Sequence, residues 1–217
     1  QRQMCIRDSA YTVHGAYFGR RHLSRLVVGD YSLRFGQGLA LWSGFAMTGV
    51  SGPRSFWKRP TGISPSMSAS SSSSLRGAAA ELDYGRFGIS LFLGSPGFRN
   101  WCESGTKLQL DLLPGINAAW FFRHGQVSLT ALCNLKNAKS IGKANAGMEV
   151  FRVGDKVVLP LTKVSADARF CIRGVEIFGE AAMDICNVKP ALTGGFMFPA
   201  GEWKLALAGR YIPSEYD

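Results

Sequence analysis

From Leu23 onward the chain repeats one device: a short run whose residues point alternately to a wet side and a greasy side, then a tight turn, then another such run. Thr162–Ile172 is a clear case. Lys163, Ser165, Asp167 and Arg169 take one side, and Val164, Ala166, Ala168, Phe170 and Ile172 the other. Val175–Cys186 repeats it, with Glu176, Phe178, Glu180, Ala182 and Asp184 on the wet side. Placed at about 100° per residue, these apolar sets scatter around a helix; at period 2 they fall on one face of a strand. Further runs cover Tyr11–Phe18, Leu23–Phe35, Gly77–Tyr84, Phe87–Gly94, Thr106–Leu113, Ile116–Phe122, Gln126–Asn134, Met148–Val153, Lys189–Phe198 and Trp203–Ile212. Turns are expected at 19–22, 85–86, 114–115, 124–125, 154–155, 173–174, 187–188 and 199–202. The pattern predicts an all-β fold, an antiparallel up-and-down meander of about a dozen strands.

Three architectures share this pattern: a soluble barrel, a sandwich and a membrane barrel. Parity alone does not say which face points inward. Composition helps here, because charged residues make up only 18% of the chain, against about 25% in soluble domains. No apolar stretch reaches the roughly 18 residues of a transmembrane helix, but a transmembrane strand needs only about 9–11, alternately apolar. The apolar faces carry almost no charge. The polar faces mix Arg34, Lys107, Lys163, Arg169, Lys204 and Arg210 with Asp30, Glu81, Asp83, Asp111, Asp167, Glu176, Glu180 and Asp184. Tyr84, Trp120, Phe122, Phe198, Trp203 and Tyr211 fall near strand ends, where an interfacial belt would place them. The expectation is part of a transmembrane (outer-membrane) β-barrel. A soluble or surface β-barrel binding module for an apolar or anionic ligand stays open as the alternative.

One stretch stands apart. In Gly29, Asp30, Tyr31, Ser32, Leu33, Arg34, Phe35, Gly36, Gln37, Gly38, Leu39, Ala40, Leu41 and Trp42, an alternating strand runs into a glycine break and then an apolar run. The glycines match phosphate-binding loops weakly, and no convincing helix follows, so they read as backbone freedom for a sharp bend. Residues 36–75 form a connection too long for an ordinary loop, hence a lid, a plug or disorder. Together with Leu75, Arg76, Gly77, Ala78 and Ala79, with Phe178–Ala182 and with Gly209, Arg210 and Tyr211, this stretch resembles large envelope proteins of Bacteroidota. Those proteins carry N-terminal helix-hairpin-helix segments and a long β-rich region that reads as an outer-membrane barrel. The resemblance is carried most closely by Gly29, Asp30, Tyr31, Phe35, Gly36, Gln37, Gly38, Leu39, Trp42, Arg76 and Gly77. It implies the outer membrane of a Gram-negative bacterium and a channel, transport or envelope-assembly role. No helix-hairpin-helix segment is present, and a serine run (70–74) stands where the family usually has an acidic residue. Nucleic-acid binding therefore does not carry over to this region.

Motifs for catalysis are absent: there is no nucleotide loop, no metalloprotease helix motif and no nucleophile elbow. Cys5, Cys102, Cys133, Cys171 and Cys186 form no C-x-x-C pair, and His14, His22 and His124 are scattered. Neither an enzyme nor a cofactor is expected. The net charge of +10 is spread in runs no longer than two residues; it suits lipid headgroups, lipopolysaccharide or other envelope proteins as partners. Residues 1–9 resemble translated adaptor sequence rather than native protein, and 10–217 read as one β-barrel domain cut at both ends. The candidate site is a ladder of lumen charges: Lys163, Asp167, Arg169, Glu176, Glu180, Asp184, Lys204 and Arg210. A two-residue turn at 173–174 would set Lys163 opposite Asp184, Asp167 opposite Glu180 and Cys171 opposite Glu176. Turns at 187–188 and 199–202 would set Glu180 across from Gly195, and Asp184 across from Ala191 and then Arg210. Arg169 is the expected bridge between Asp167 and Glu180, with Arg169→Ala damaging and Glu180→Gln mild.

Overall fold

The computed structural model describes residues 12–43, 58–67, 74–95, 112–134, 151–153, 156–158, 161–185, 188–201 and 203–213. Its strands are β1 (His14–Phe18), β2 (Leu23–Arg34), β3 (Gly62–Pro65), β4 (Leu75–Asp83), β5 (Phe87–Ser95), β6 (Leu113–Phe122), β7 (Gly125–Cys133), β8 (Phe151–Val153), β9 (Lys156–Val158), β10 (Leu161–Ile172), β11 (Val175–Asp184), β12 (Lys189–Ala200) and β13 (Trp203–Tyr211). No helix occurs among the described residues. Eleven strands form one antiparallel sheet in the order β1-β2-β4-β5-β6-β7-β10-β11-β12-β13, with β3 on β2; β8 and β9 pair separately. The expected meander is therefore present, and β1 and β13 are its two open edges.

The sheet is strongly curved. From β2 to β11 there are six strand intervals, about 29 Å across a flat sheet. Yet Gln37, three residues beyond the end of β2, donates its backbone N–H to Glu180 of β11 at 2.5 Å. So short a tether closes that gap only if the sheet curls until β2 and β11 face each other, the shape of a partial barrel. The inside of the curve is the wet face. Ser90, Asn117, Ser128, Thr130, Ser165, Asp167, Glu180 and Asp184 are all buried there. The greasy face looks outward: Leu91, Leu93, Ile116, Trp120, Leu129, Leu192, Leu205 and Leu207 are exposed. An apolar core does exist inside the curve, but it is local. Val27, Tyr31, Leu33, Phe35, Ile63, Leu75, Ala79 and Phe92 cluster around the end of β2.

Two connections differ from the expectation in ways that matter for the site. Pro114 and Gly115 do not turn the chain; they lie within β6, paired with Leu93 and Phe92. Proline is tolerated because it sits at the start of the strand, before the ladder to β7 begins at Gly115. Gly115 is needed because a Cβ there would lie 2.3 Å from the Phe92 ring. The turn expected at 124–125 is Arg123-His124, between Phe122 and Gly125. The expected strand Thr106–Leu113 lies mostly outside the described residues. Of Met148–Val153, Phe151–Val153 is a strand, and its partner Lys156–Val158 went unread. Within the long connection 36–75, β3 pairs with Tyr31 to Arg34, and Arg34 bridges Trp42. Neither feature shows in the residue pattern. The short turns 19–22, 84–86, 123–124, 173–174 and 201–202 lie at one end of the sheet, and the connections 35–74, 96–112, 134–160 and the short 185–188 at the other.

Candidate functional site

The Gly29–Trp42 stretch and the charge ladder, apart in sequence, meet inside the curve. Gly29 has φ of 110°, and a Cβ would collide with the Val13 carbonyl oxygen. Next to it, Asp30 is fully buried and faces Arg76 in the β2–β4 register. Arg76 donates through Nε to Oδ1 at 2.9 Å and through Nη2 to Oδ2 at 2.8 Å, a two-point clamp. Oδ2 also accepts the Val13 N–H at 2.8 Å, so this carboxylate ties β1, β2 and β4 together. Gly77, beside Arg76, faces Gly94 closely enough that a Cβ would strike the Leu93 carbonyl oxygen. Tyr31 and Leu33 are fully buried, and Phe35 stacks on Phe92 with centroids 5.8 Å apart.

Beyond Phe35 the chain turns inward. Gly36 (φ 56°) and Gly38 (φ 79°) occupy the left-handed region, which glycine enters at little cost. The resulting bend aims successive backbone amides at one point. Gln37 and Leu39 donate to Oε2 of Glu180 at 2.5 and 3.1 Å, and Ala40 donates to Oε1 at 3.2 Å. This is an anion nest, the geometry by which glycine loops hold phosphate. Its occupant here is a carboxylate of the same chain. At Gly36 a Cβ would lie 2.7 Å from Oε2, so only glycine lets the backbone come this close. The resemblance to phosphate-binding glycines was thus sound in its physics and silent about the ligand.

The loop is fixed from its other side as well. The Gln37 side chain donates to the Lys58 carbonyl at 3.1 Å and accepts the Lys58 N–H at 3.0 Å. Lys58 Nζ lies 4.8 Å from the Trp42 ring centroid, and Arg34 lies 5.9 Å from the same ring. Burial pulls the Lys58 ammonium below the ordinary lysine range; nearby Arg210 acts the same way, and Glu180 opposes both. Leu39 packs on Ala182 and Ala191, and Arg210 reaches the Gly38 carbonyl at 3.4 Å.

The ladder itself has the expected first register: Lys163 opposite Asp184, Asp167 opposite Glu180, Cys171 opposite Glu176. The next two registers are each displaced by two residues. The β11–β12 connection has four residues, so Asp184 faces Lys189 rather than Ala191, and Glu180 faces Thr193 rather than Gly195. The β12–β13 turn has two residues, so Thr193 faces Arg210, and Gly195 faces Ala208. Arg210 therefore sits two strands from Glu180, not from Asp184. Glu176 and Lys204 line a small recess of about 60 Å³ near the short turns. Asp167 takes the Ser128 hydroxyl hydrogen bond, Ser128 in turn accepts from Asn117, and Glu180 takes the loop amides. A separate cavity of about 250 Å³ lies beside the loop, between Phe35, Thr61 and the wall residues Glu81, Ser90, Asn117 and Ser128. Its lining mixes these polar groups with apolar ones, Leu82, Ala119 and Phe121 among them.

No protein-family model, curated protein or solved structure matches this chain.

Proposed function

We propose that this chain is a section of an outer-membrane β-barrel whose first long loop folds back to obstruct its interior, and that it serves as a channel, transport or envelope-assembly component. The observation that carries this reading is the inverted surface. In a water-soluble fold the apolar faces of strands are covered and carboxylates face solvent. Here Asp30, Asp167, Glu180 and Asp184 are buried while Leu91, Leu129, Leu205, Leu207 and Trp203 are exposed. Such an outside is stable against lipid and prone to aggregation in water.

Aromatic stacking supports the same reading. On the outer face near the short turns, Phe87 and Trp120 stack at 6.1 Å, Trp120 meets Phe122 at 5.8 Å, and Phe122 meets Phe170 at 5.5 Å. This row across β5, β6 and β10 has the place of an interfacial belt. The alternative, a soluble module holding an apolar ligand, would need a greasy concavity. The polar interior weighs against it.

The test is fractionation of cells producing the 217-residue chain. The expected protein stays with membranes through urea and carbonate washes, enters detergent, and migrates differently on gels before and after boiling. Recovery of folded protein in the soluble fraction would sink the proposal.

A further inference from the structure

The short-turn end carries a second pattern. Arg20, Arg21, Arg86, Arg123 and Arg173 all lie in short turns, and all are exposed. None has a carboxylate within ion-pair distance among the described residues. Asp83, three residues before Arg86, accepts the Gly85 N–H at 2.8 Å. The turns are stitched into one rim: Asp83 N–H donates to the His22 carbonyl at 2.7 Å, Phe121 N–H to Arg86 at 2.8 Å, and Cys171 N–H to His124 at 2.7 Å. Successive hairpins set their turns about 10 Å apart, twice the strand spacing. Arg173 is held at φ 51°, a left-handed position that an arginine enters only at a cost. The rim lies just beyond the aromatic row.

We infer that this arginine rim binds the phosphates of anionic glycerophospholipids in the leaflet that meets the short turns. The inference rests on the membrane reading above. Its argument is charge complementarity at a fixed depth. Aromatic side chains set the level of the headgroups, and the residues one step outward are cationic, bidentate phosphate donors with no ion-pair partner among the described residues. A basic side chain near an anionic leaflet enriches it about five-fold per engaged headgroup.

Trp120 and Trp203 lie beside the rim and can report on it. The full chain is reconstituted in phosphatidylcholine containing an equal minority of brominated phosphatidylcholine or brominated phosphatidylglycerol, and tryptophan quenching is compared. The expected result is at least about two-fold stronger quenching by the brominated anionic lipid, falling toward equality at high salt. Replacing all five arginines by glutamine should abolish the preference, and replacing them by lysine should keep most of it. Equal quenching by both lipids in the unaltered protein would overturn this inference alone, an outcome that an acidic protein as the true occupant would also give. No quenching by either lipid would overturn it together with the membrane reading.

Discussion

Glu180 is where residue chemistry and chain topology are tied most tightly. Its carboxylate accepts three backbone N–H groups from residues 37–40, and hydrogen bonds to a charged acceptor are each worth about 1.5–3 kcal/mol. A glutamine would keep one acceptor oxygen and turn an amide hydrogen toward these donors. Glu180→Gln should therefore release the loop: hydrogen exchange of the Gln37, Leu39 and Ala40 amides should speed up at least ten-fold, while the β10–β11 ladder stays protected. Unchanged exchange would mean the nest does not hold the loop. Glu180→Gln, the mild change in the expectation from sequence, thereby becomes a consequential one. The backbone amides that hold Glu180 carry no sequence signature. Asp30 makes a parallel case. It is fully buried and doubly bonded to Arg76, and breaking such a pair typically costs about 3–5 kcal/mol. Asp30→Asn should lower the denaturant midpoint, and Asp30→Leu with Arg76→Met should recover part of the loss.

At the scale of strands and turns, the wet and greasy faces from β4 to β13 were legible because side-chain alternation is fixed by the pleat. In β2, by contrast, the apolar side, with Val27, Tyr31 and Leu33, points into the curve, and Asp30 and Arg34 take the other face. Every ladder residue from Lys163 to Arg210 lies on the face assigned to it. Registers were legible only where the turn was. Arg173-Gly174 is a tight two-residue turn with both φ values positive, and its ladder follows as read. Ile185–Val188 and the turn at 201–202 each differ by two residues from the reading, which preserves the face and changes the partner. Hence Arg210 ends beside Glu180's neighbour Thr193, a difference that no periodicity could reveal. Proline followed by glycine at 114–115 misled for a different reason: the glycine makes room for the Phe92 ring rather than turning the chain. Gly115→Val should crowd that ring and cost about 1–3 kcal/mol, with loosened pairing at Phe92 and Leu132. Were 114–115 a turn, the same change would leave those pairs untouched. β3 was missed because four residues are too few to show alternation.

The whole molecule is a curved polar wall with a loop latched against it and a greasy exterior. That arrangement makes the environment of the exterior measurable. Leu129 sits at the centre of β7 and is 61% exposed, while its neighbour Thr130 is 2% exposed. In a protein surrounded by water, replacing an exposed leucine by arginine usually changes stability by no more than about 0.5 kcal/mol. At the midplane of a bilayer the same change costs about 2–4 kcal/mol, falling to about 0–1 near the interfaces. Trp203 lies at the short-turn end, where the depth penalty is small. Leu129→Arg should thus lose about 2–4 kcal/mol of folding stability in lipid vesicles, whereas Trp203→Arg should lose clearly less to the depth penalty. The depth gradient is what separates lipid from water, because water has no midplane. Unfolding titrations in vesicles with both variants read it directly. Equal, small effects at the two positions would mean that the greasy face meets something other than a bilayer.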